Sequence, residues 1–226
     1  MTTCFSDLIK DHSLDFIGLQ ETMKKKSPLK FLRRIDPFNN FEWNWVPSTG
    51  KSGILCGVKK ETLEIISWEA GRFLLQTNVY DVKHKFVWAL IVVYGAAQDD
   101  GKDDFLAELV SVCSQIHVPY IVGGDYNILR NSDVKNKNMA HSHFVDKFNL
   151  AIQTLKLREI HMGGEYTWTN KQKQPRLEKL DRILMSFEWE DLFPLVTVRK
   201  LVRDVSDHNP LLLASGRDKK RLIPPM

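Results

Sequence analysis

The feature that most constrains the fold is a series of five short strand-like segments that follow one another between residues 41 and 94. All five are rich in aromatic and β-branched side chains, and Gly, Lys or Asp residues separate them. Their bounds are 41–46, 53–58, 62–68, 73–80 and 86–94. Shorter segments of the same kind lie at 15–19, 180–185, 196–202 and 210–213. So many strands predict a protein built around β-sheets.

Helical periodicity interrupts this series at a few places. Apolar residues recur at helical spacing in 103–116 and 143–155, and shorter helices are expected around Phe5 and at 187–193. Asp103 and its neighbours lie at the start of the first long helix, where acidic side chains interact favourably with the helix dipole. Because the helices are interspersed with strands rather than alternating with them, we expect an α/β fold of two packed sheets flanked by helices.

Length and composition favour one domain. The chain has 226 residues, of which 43% are hydrophobic, enough for a full core in a single mixed domain. We expect that domain to span residues 1–214 and the basic segment 215–226 to form a frayed tail. The net charge of +4 suits a polyanionic partner without requiring one.

Cysteine usage and the N-terminus bear on the compartment. The three cysteines are far apart and show no metal-binding spacing, so we expect no disulfide partner and a reducing environment. The first fifteen residues carry several charges, which is unlike a signal peptide, and no apolar segment is long enough to span a bilayer. These observations predict an intracellular protein, nuclear or cytoplasmic, without membrane contact.

The segment Gly123-Gly124-Asp125-Tyr126-Asn127 is the strongest candidate for chemistry. It follows the apolar residues 119–122, which predict a buried strand that stops at the glycines. On extended backbone, the carboxylate of Asp125 and the amide of Asn127 would project from the same side. Such a pair can coordinate a hard cation or activate a water molecule. The alternative is that these residues are ordinary turn formers.

Four other polar positions follow or interrupt predicted strands. Glu21 follows the strand at 15–19, Tyr94 ends the longest apolar segment, Asp181 interrupts another, and Asp207-His208 lies near the C-terminus. Each has an ordinary explanation on its own, such as solvation at a strand end. Asp181 is either a solvent-facing residue of an amphipathic strand or the partner that orients an imidazole.

Taken in order, these motifs resemble a known superfamily. The succession is Leu19-Gln20-Glu21, Val93-Tyr94-Gly95, Gly123 to Asn127, Tyr166-Thr167-Trp168, Leu180-Asp181-Arg182 and Ser206-Asp207-His208. It resembles the endonuclease/exonuclease/phosphatase superfamily, and more narrowly the apurinic-type endonuclease domain of plant non-LTR (LINE) retrotransposons. The resemblance covers residues 5 to 214 and implies a four-layered sandwich of two mostly antiparallel sheets, as in deoxyribonucleases.

The resemblance also implies roles for individual residues in Mg²⁺-dependent nicking of DNA. Glu21 would be the main ligand of Mg²⁺, or of Mn²⁺ in its place, with Asp207 beside it. Asp125 would activate the attacking water. The remaining residues would contact the phosphate or orient those that do: Asn127, His208 with Asp181 behind it, and Tyr94 near the leaving oxygen.

Basic loops lie beside these motifs and predict contacts with the phosphate backbone of DNA. The residues expected to contact nucleic acid are Lys24, Lys25, Lys135, Lys137, Thr167, Lys171, Lys173, Arg176 and Lys179. The alternative is that the lysines only keep the surface soluble.

The sequence departs from the family pattern at its start. Family members begin with a strand that ends in an Asn of the metal site, whereas Phe5 already lies in the first helix here. One alternative is therefore a truncated remnant, catalytically impaired, that only binds nucleic acid. A second is a phosphatase or RNA deadenylase on the same fold, because fold alone does not settle the substrate.

Overall fold

The computed structural model describes residues 2–22, 29–47, 53–130, 142–163, 166–172, 175–203 and 206–216. The helices are α1 (Thr2–His12), α2 (Leu29–Ile35), α3 (Lys102–Cys113), α4 (His143–Thr154) and α5 (Phe187–Leu192), with a 3₁₀ turn at Asp99–Gly101. The first seven strands are β1 (Phe16–Leu19), β2 (Phe41–Val46), β3 (Ile54–Lys59), β4 (Leu63–Ala70), β5 (Leu74–Asp81), β6 (Phe86–Tyr94) and β7 (Tyr120–Asp125). The others are β8 (Arg158–Glu159), β9 (Met162–Gly163), β10 (Trp168–Thr169), β11 (Leu177–Glu178), β12 (Asp181–Met185), β13 (Thr197–Lys200) and β14 (Leu211–Ala214).

The central layer is a six-stranded sheet with the order β4-β5-β6-β7-β12-β8. All its neighbouring strands are antiparallel except β6 and β7, which are parallel. β6 is apolar along its whole length because both of its faces are covered, and Trp88 to Tyr94 are all buried. This strand and β2 have the bounds predicted from the sequence.

Two three-stranded sheets, β1-β3-β2 and β14-β13-β9, pack on one face of the central sheet. Val58 of β3 and Val198 of β13 belong to the same apolar cluster as Trp88 of β6 and Met185 of β12. Within the described residues, β1 pairs with β3 alone and β14 pairs with β13 alone. In the described part of the chain, the second layer thus consists of two separate sheets.

Helices cover both outer surfaces. Phe105 of α3 and Phe148 of α4 pack against Ile91 and Val122 on the face of the central sheet that lies opposite the two three-stranded sheets. On the opposite side, α1 and α2 pack against the β1-β3-β2 sheet, with Leu55 at the centre of their contact. The predicted four-layered α/β sandwich is confirmed. None of the helices among the described residues combines the length and apolarity needed to cross a bilayer.

Strand β7 differs from its prediction in a way that matters for the site. It continues through both glycines to Asp125 instead of stopping at them. Gly124 has φ +148°, and a Cβ there would lie 2.1 Å from the carbonyl oxygen of Val93. Only glycine permits so close an approach to β6. The parallel pairing therefore continues until Asp125 is level with Tyr94.

Some elements were not predicted. Helix α2 lies in a stretch where basic residues interrupt the apolar pattern, and β8 to β11 have two residues each, too few for a period to be visible. Strands β10 and β11 form a small hairpin beside β12. Most of the predicted basic tail, residues 217–226, lies outside the described residues.

Candidate active site

The ends of three central strands bring the first site residues together. Asp125 at the end of β7 faces Asp181 across the antiparallel pair with β12, and it faces Tyr94 across the parallel pair with β6. Asp125 is 4% exposed and Asp181 is 7% exposed. Two carboxylates held so close with little water around them are electrostatically costly unless a cation accompanies them.

His208 supplies part of that positive charge. Its Nδ1 atom lies 2.9 Å from Asp181 Oδ2, and its Nε2 atom lies 3.9 Å from Asp125 Oδ2. Because a carboxylate only accepts, Nδ1 carries the proton and donates it to Asp181. One ligand atom from each of these three residues lies within 4.8 Å of the other two. The imidazole is thus positioned by Asp181 and directs its second nitrogen toward Asp125.

The local charges shift two pKa values. Burial and the charge of Asp181 raise the pKa of Asp125 from 3.8 to about 7, although His208 and the Asn127 N–H oppose this. Burial lowers the pKa of His208, but its hydrogen bond to Asp181 and the nearby carboxylates outweigh burial and raise it to about 9. Near neutral pH the imidazole is therefore charged while Asp125 is close to its titration midpoint.

Asn127 lies beside Asp125, but not for the reason given by the sequence. The backbone is not extended there, since Asn127 has φ +50°. Instead its N–H donates to Asp125 Oδ1 at 2.9 Å, and its Nδ2 donates to Asp125 Oδ2 at 3.1 Å and to the Gly95 carbonyl at 2.9 Å. A tight turn, which Asn tolerates well, orients both side chains.

Glu21 and Tyr94 form a second pair at the same rim. The Tyr94 hydroxyl donates to Glu21 Oε1 at 2.6 Å, across 73 residues of sequence. Burial, the hydrogen bond to Glu21 and the charges of Glu21 and Asp125 raise the pKa of Tyr94 well above its usual value. The phenol of Tyr94 therefore stays protonated, and its hydroxyl holds the exposed Glu21 carboxylate at the edge of the site that contains Asp125 and Asp181.

Asp207 is held by a residue that the sequence analysis did not place in the site. The indole Nε1 of Trp168 donates to Asp207 Oδ2 at 3.0 Å. Trp168 also forms a β-bridge with His208, and the N–H of Thr169 donates to the Asp207 carbonyl at 3.1 Å. In the sequence, the position of Trp168 directly after Thr167 in the Tyr166-Thr167-Trp168 motif was the signal that could have placed it in the site. The loop with Asp207 and His208 is therefore attached to the β10–β11 hairpin.

The structure corrects parts of the predicted nucleic-acid contact set. Thr167 is fully buried, so the prediction that it contacts nucleic acid is wrong. The Lys179 ammonium lies 2.5 Å from Glu159 Oε1, and Arg176 Nε lies 2.6 Å from Glu178 Oε1, so both charges are partly neutralised inside the protein. Lys171 is exposed on the hairpin loop. The other predicted contacts lie outside the described residues: Lys24, Lys25, Lys135, Lys137 and Lys173.

Comparison with known families agrees with this arrangement. A sequence profile described as the Endonuclease/Exonuclease/phosphatase family matches residues 2–208. The chain belongs to this family. No curated protein sequence matches it.

Solved structures of the family share its fold. The endonuclease domain of TRAS1, a telomere-specific non-LTR retrotransposon, superposes with a TM-score of 0.72 and 16% identity over 97% of this chain and 93% of that one. The AP endonuclease LMAP from Leishmania major gives 0.70 and 14% over 92% and 80%. A family member from Bacteroides vulgatus gives 0.68 and 17% over 94% and 88%. Identities this low establish the fold alone.

The family generally uses divalent metal ions, and the residues of this chain fit one. The carboxylates of Asp125 and Asp181 and the imidazole of His208 converge within 4.8 Å, and the charges of Glu21 and Asp207 act on Asp125 and on His208 respectively. An excess of negative charge would repel a phosphate, so a bound divalent cation is the simplest way to balance it. Carboxylate oxygens are also the ligands that hard cations prefer.

Proposed function

We propose that this chain is a divalent-metal-dependent phosphodiesterase that nicks DNA and derives from a retrotransposon endonuclease. The observation that carries the proposal is the hydrogen-bonded Asp181–His208 pair directed at Asp125. This arrangement places a base and a cationic donor 3.9 Å apart. Hydrolysis of a phosphodiester needs both.

Asp125 is the proposed general base. A carboxylate whose pKa is about 7 accepts a proton from water far more readily than one with an ordinary pKa. Asn127 donates to both of its oxygens and fixes the direction in which the carboxylate points. When the Asn127 side chain rotates from Asp125 toward the substrate, its Nδ2 can donate to a phosphate oxygen.

His208 is the proposed phosphate donor. Asp181 fixes the ring through Nδ1, so the protonated Nε2 is available for a phosphate oxygen, on which negative charge increases during attack. Its raised pKa keeps the ring cationic at neutral pH. The role of Asp181 is to orient the imidazole and stabilise its charge.

Glu21 and Asp207 are the proposed metal ligands, held by Tyr94 and Trp168 respectively. Each carboxylate has one oxygen engaged by its holder and a second oxygen to offer a cation. Mg²⁺, or Mn²⁺ in its place, would neutralise phosphate charge and stabilise the leaving alkoxide when bound. In this arrangement Tyr94 contributes chiefly by holding Glu21 close to where the phosphate binds.

DNA is the proposed substrate because a long polymer can also contact residues outside the acidic site formed by Glu21, Asp125, Asp181 and Asp207. The β10–β11 hairpin lies next to Asp207 and presents Lys171 to solvent. The similar TRAS1 domain is an endonuclease, which supports the same choice. A similar fold also occurs in a mannosyl-6-phosphatase from Bacteroides thetaiotaomicron, so a small phosphate ester is the substrate to test against.

The test is nicking of supercoiled plasmid with Mg²⁺ and with a chelator. Wild type should convert the plasmid to the open circle only with the metal. Asp125→Asn and His208→Ala, purified in parallel, should each nick it on the order of 10²–10⁴-fold more slowly. Equal nicking by all three proteins would point to a contaminating nuclease and defeat the proposal. Binding without cleavage would favour a protein that only binds nucleic acid, and faster turnover of a sugar phosphate would favour a phosphatase.

A further inference from the structure

Thr167 is fully buried directly behind the Asp181–His208 pair. Its hydroxyl oxygen accepts two backbone hydrogen bonds, from the N–H of Leu180 at 3.1 Å and from the N–H of Asp181 at 3.0 Å. Asp181 is the first residue of β12, so its N–H lies at the point where the strand begins. One side-chain oxygen thus fixes the backbone that carries the Asp181 carboxylate.

The backbone of the same residue holds the other half of the pair. The Thr167 carbonyl accepts from the N–H of Asn209 at 2.8 Å, and Asn209 directly follows His208. The next residue, Trp168, forms the β-bridge with His208. Thr167 therefore contacts both segments that carry the pair, through its side chain on one side and its carbonyl on the other.

Removal of the hydroxyl would have a specific consequence. The two N–H groups are buried, and a buried donor without a partner is costly, so the backbone at Leu180 and Asp181 would shift to find another acceptor. The 2.9 Å bond between Asp181 and His208 would lengthen or change direction with it. A valine at 167 has nearly the same shape as threonine but accepts no hydrogen bond.

We infer that Thr167 is a positioning residue: it holds Asp181 in register with His208 so that the imidazole faces the scissile phosphate. The inference rests on the proposed function, because it assigns Thr167 a part in the same reaction. The residue does not touch the substrate, since it is fully buried.

The kinetic test compares Thr167→Val with Thr167→Ser on a DNA oligonucleotide. Misplacement of a catalytic group by about 1 Å costs on the order of 10²-fold, so Thr167→Val should lower kcat by about that factor while KM stays within about twofold. Thr167→Ser keeps the acceptor and should restore kcat to within a few-fold of wild type. The control is Thr77→Val, a fully buried threonine in β5 far from the site, which should leave both constants unchanged.

A second measurement does not depend on activity. In proton NMR, the hydrogen-bonded Nδ1–H of His208 should give a downfield signal that His208→Ala abolishes. Thr167→Val should shift or broaden this signal, whereas Thr167→Ser and Thr77→Val should preserve it. If Thr167→Val does not fold, Thr167→Ala is compared with Thr167→Ser in the same two assays.

The outcomes separate the two proposals. Unchanged kcat and an unchanged His208 signal in a folded variant that lacks the hydroxyl would overturn the role of Thr167, even if wild type nicks DNA. An inactive wild type whose His208 signal depends on the Thr167 hydroxyl would refute nicking and retain the positioning role.

Discussion

Asp125 and Asp181 lie directly opposite each other on antiparallel strands β7 and β12, and both carboxylates are almost fully buried. Antiparallel neighbours have Cβ atoms about 5 Å apart, so two negative charges at this position repel strongly. His208 bonds to one carboxylate and lies within 3.9 Å of the other. Burial raises the pKa of Asp125, and the strand register, which sets Asp181 opposite it, raises that pKa further and creates the need for a cation.

The first prediction concerns the pH dependence of nicking. Asp125 must be deprotonated to act as a base and His208 must be protonated to bind phosphate. kcat/KM at low cation concentration should therefore rise with pH up to about 7 and fall above about 9. The two groups interact, so these limits belong to the pair. A saturating concentration of Mg²⁺ should move the lower limit to more acidic pH, because a cation favours the carboxylate. A flat profile between pH 6 and 10 would contradict these assignments.

The second prediction concerns stability in the presence of a chelator. The pKa of Asp125 is higher in the folded than in the unfolded chain. Its contribution to the free energy of unfolding is therefore present below about pH 4 and lost as pH rises to about 7. For His208 the contribution is present below about pH 6.5 and lost as pH rises through about 9. Tm should thus fall steadily between pH 5 and 9. Asp125→Asn should flatten the lower part of this curve, and thermal melts at each pH check it.

The third prediction concerns Trp168→Phe, which removes the donor to Asp207 but keeps an aromatic ring. Groups that hold a metal ligand typically contribute 10–100-fold to metal affinity, so the Mg²⁺ concentration that gives half-maximal nicking should rise by about tenfold or more. The matched control is Trp68→Phe in β4, an exposed tryptophan, which should leave the requirement unchanged. An Mg²⁺ titration of both variants decides the matter.

The fourth prediction concerns Tyr94→Phe. The ring belongs to the buried cluster between the sheets, and phenylalanine preserves it, so Tm should change little. Loss of the hydroxyl releases Glu21 and should weaken apparent Mg²⁺ affinity by about tenfold. If Mg²⁺ affinity is unaffected while kcat falls, Tyr94 acts on the leaving oxygen instead of on Glu21.

The fifth prediction separates two lysines that the sequence treats alike. Lys171→Ala should lower affinity for DNA and reduce the slope of log Kd against log salt by about 1, as expected for one lost phosphate contact. Lys179→Ala should leave that slope unchanged and lower Tm, because it removes a partner of the partly buried Glu159. Binding isotherms at three salt concentrations and a thermal melt distinguish these results.

Much of the fold could be predicted because its signals are local. The bounds of β2 and β6 follow from aromatic and β-branched residues alone, and α4 from apolar spacing. Helix α2 could not be predicted because basic residues interrupt its apolar pattern, and the two-residue strands could not because they are too short for a period to be visible.

For the candidate site, the order of the motifs alone pointed to Glu21, Tyr94, Asp125, Asp181 and His208. Their distances depend on the register of β7 with β6 and β12, which the sequence does not state. The turn that brings Asn127 onto Asp125, the burial of Thr167 and the pairing of Lys179 with Glu159 were likewise decided only in three dimensions. A side chain's identity is local information, but its partners are set by chain segments far away in sequence.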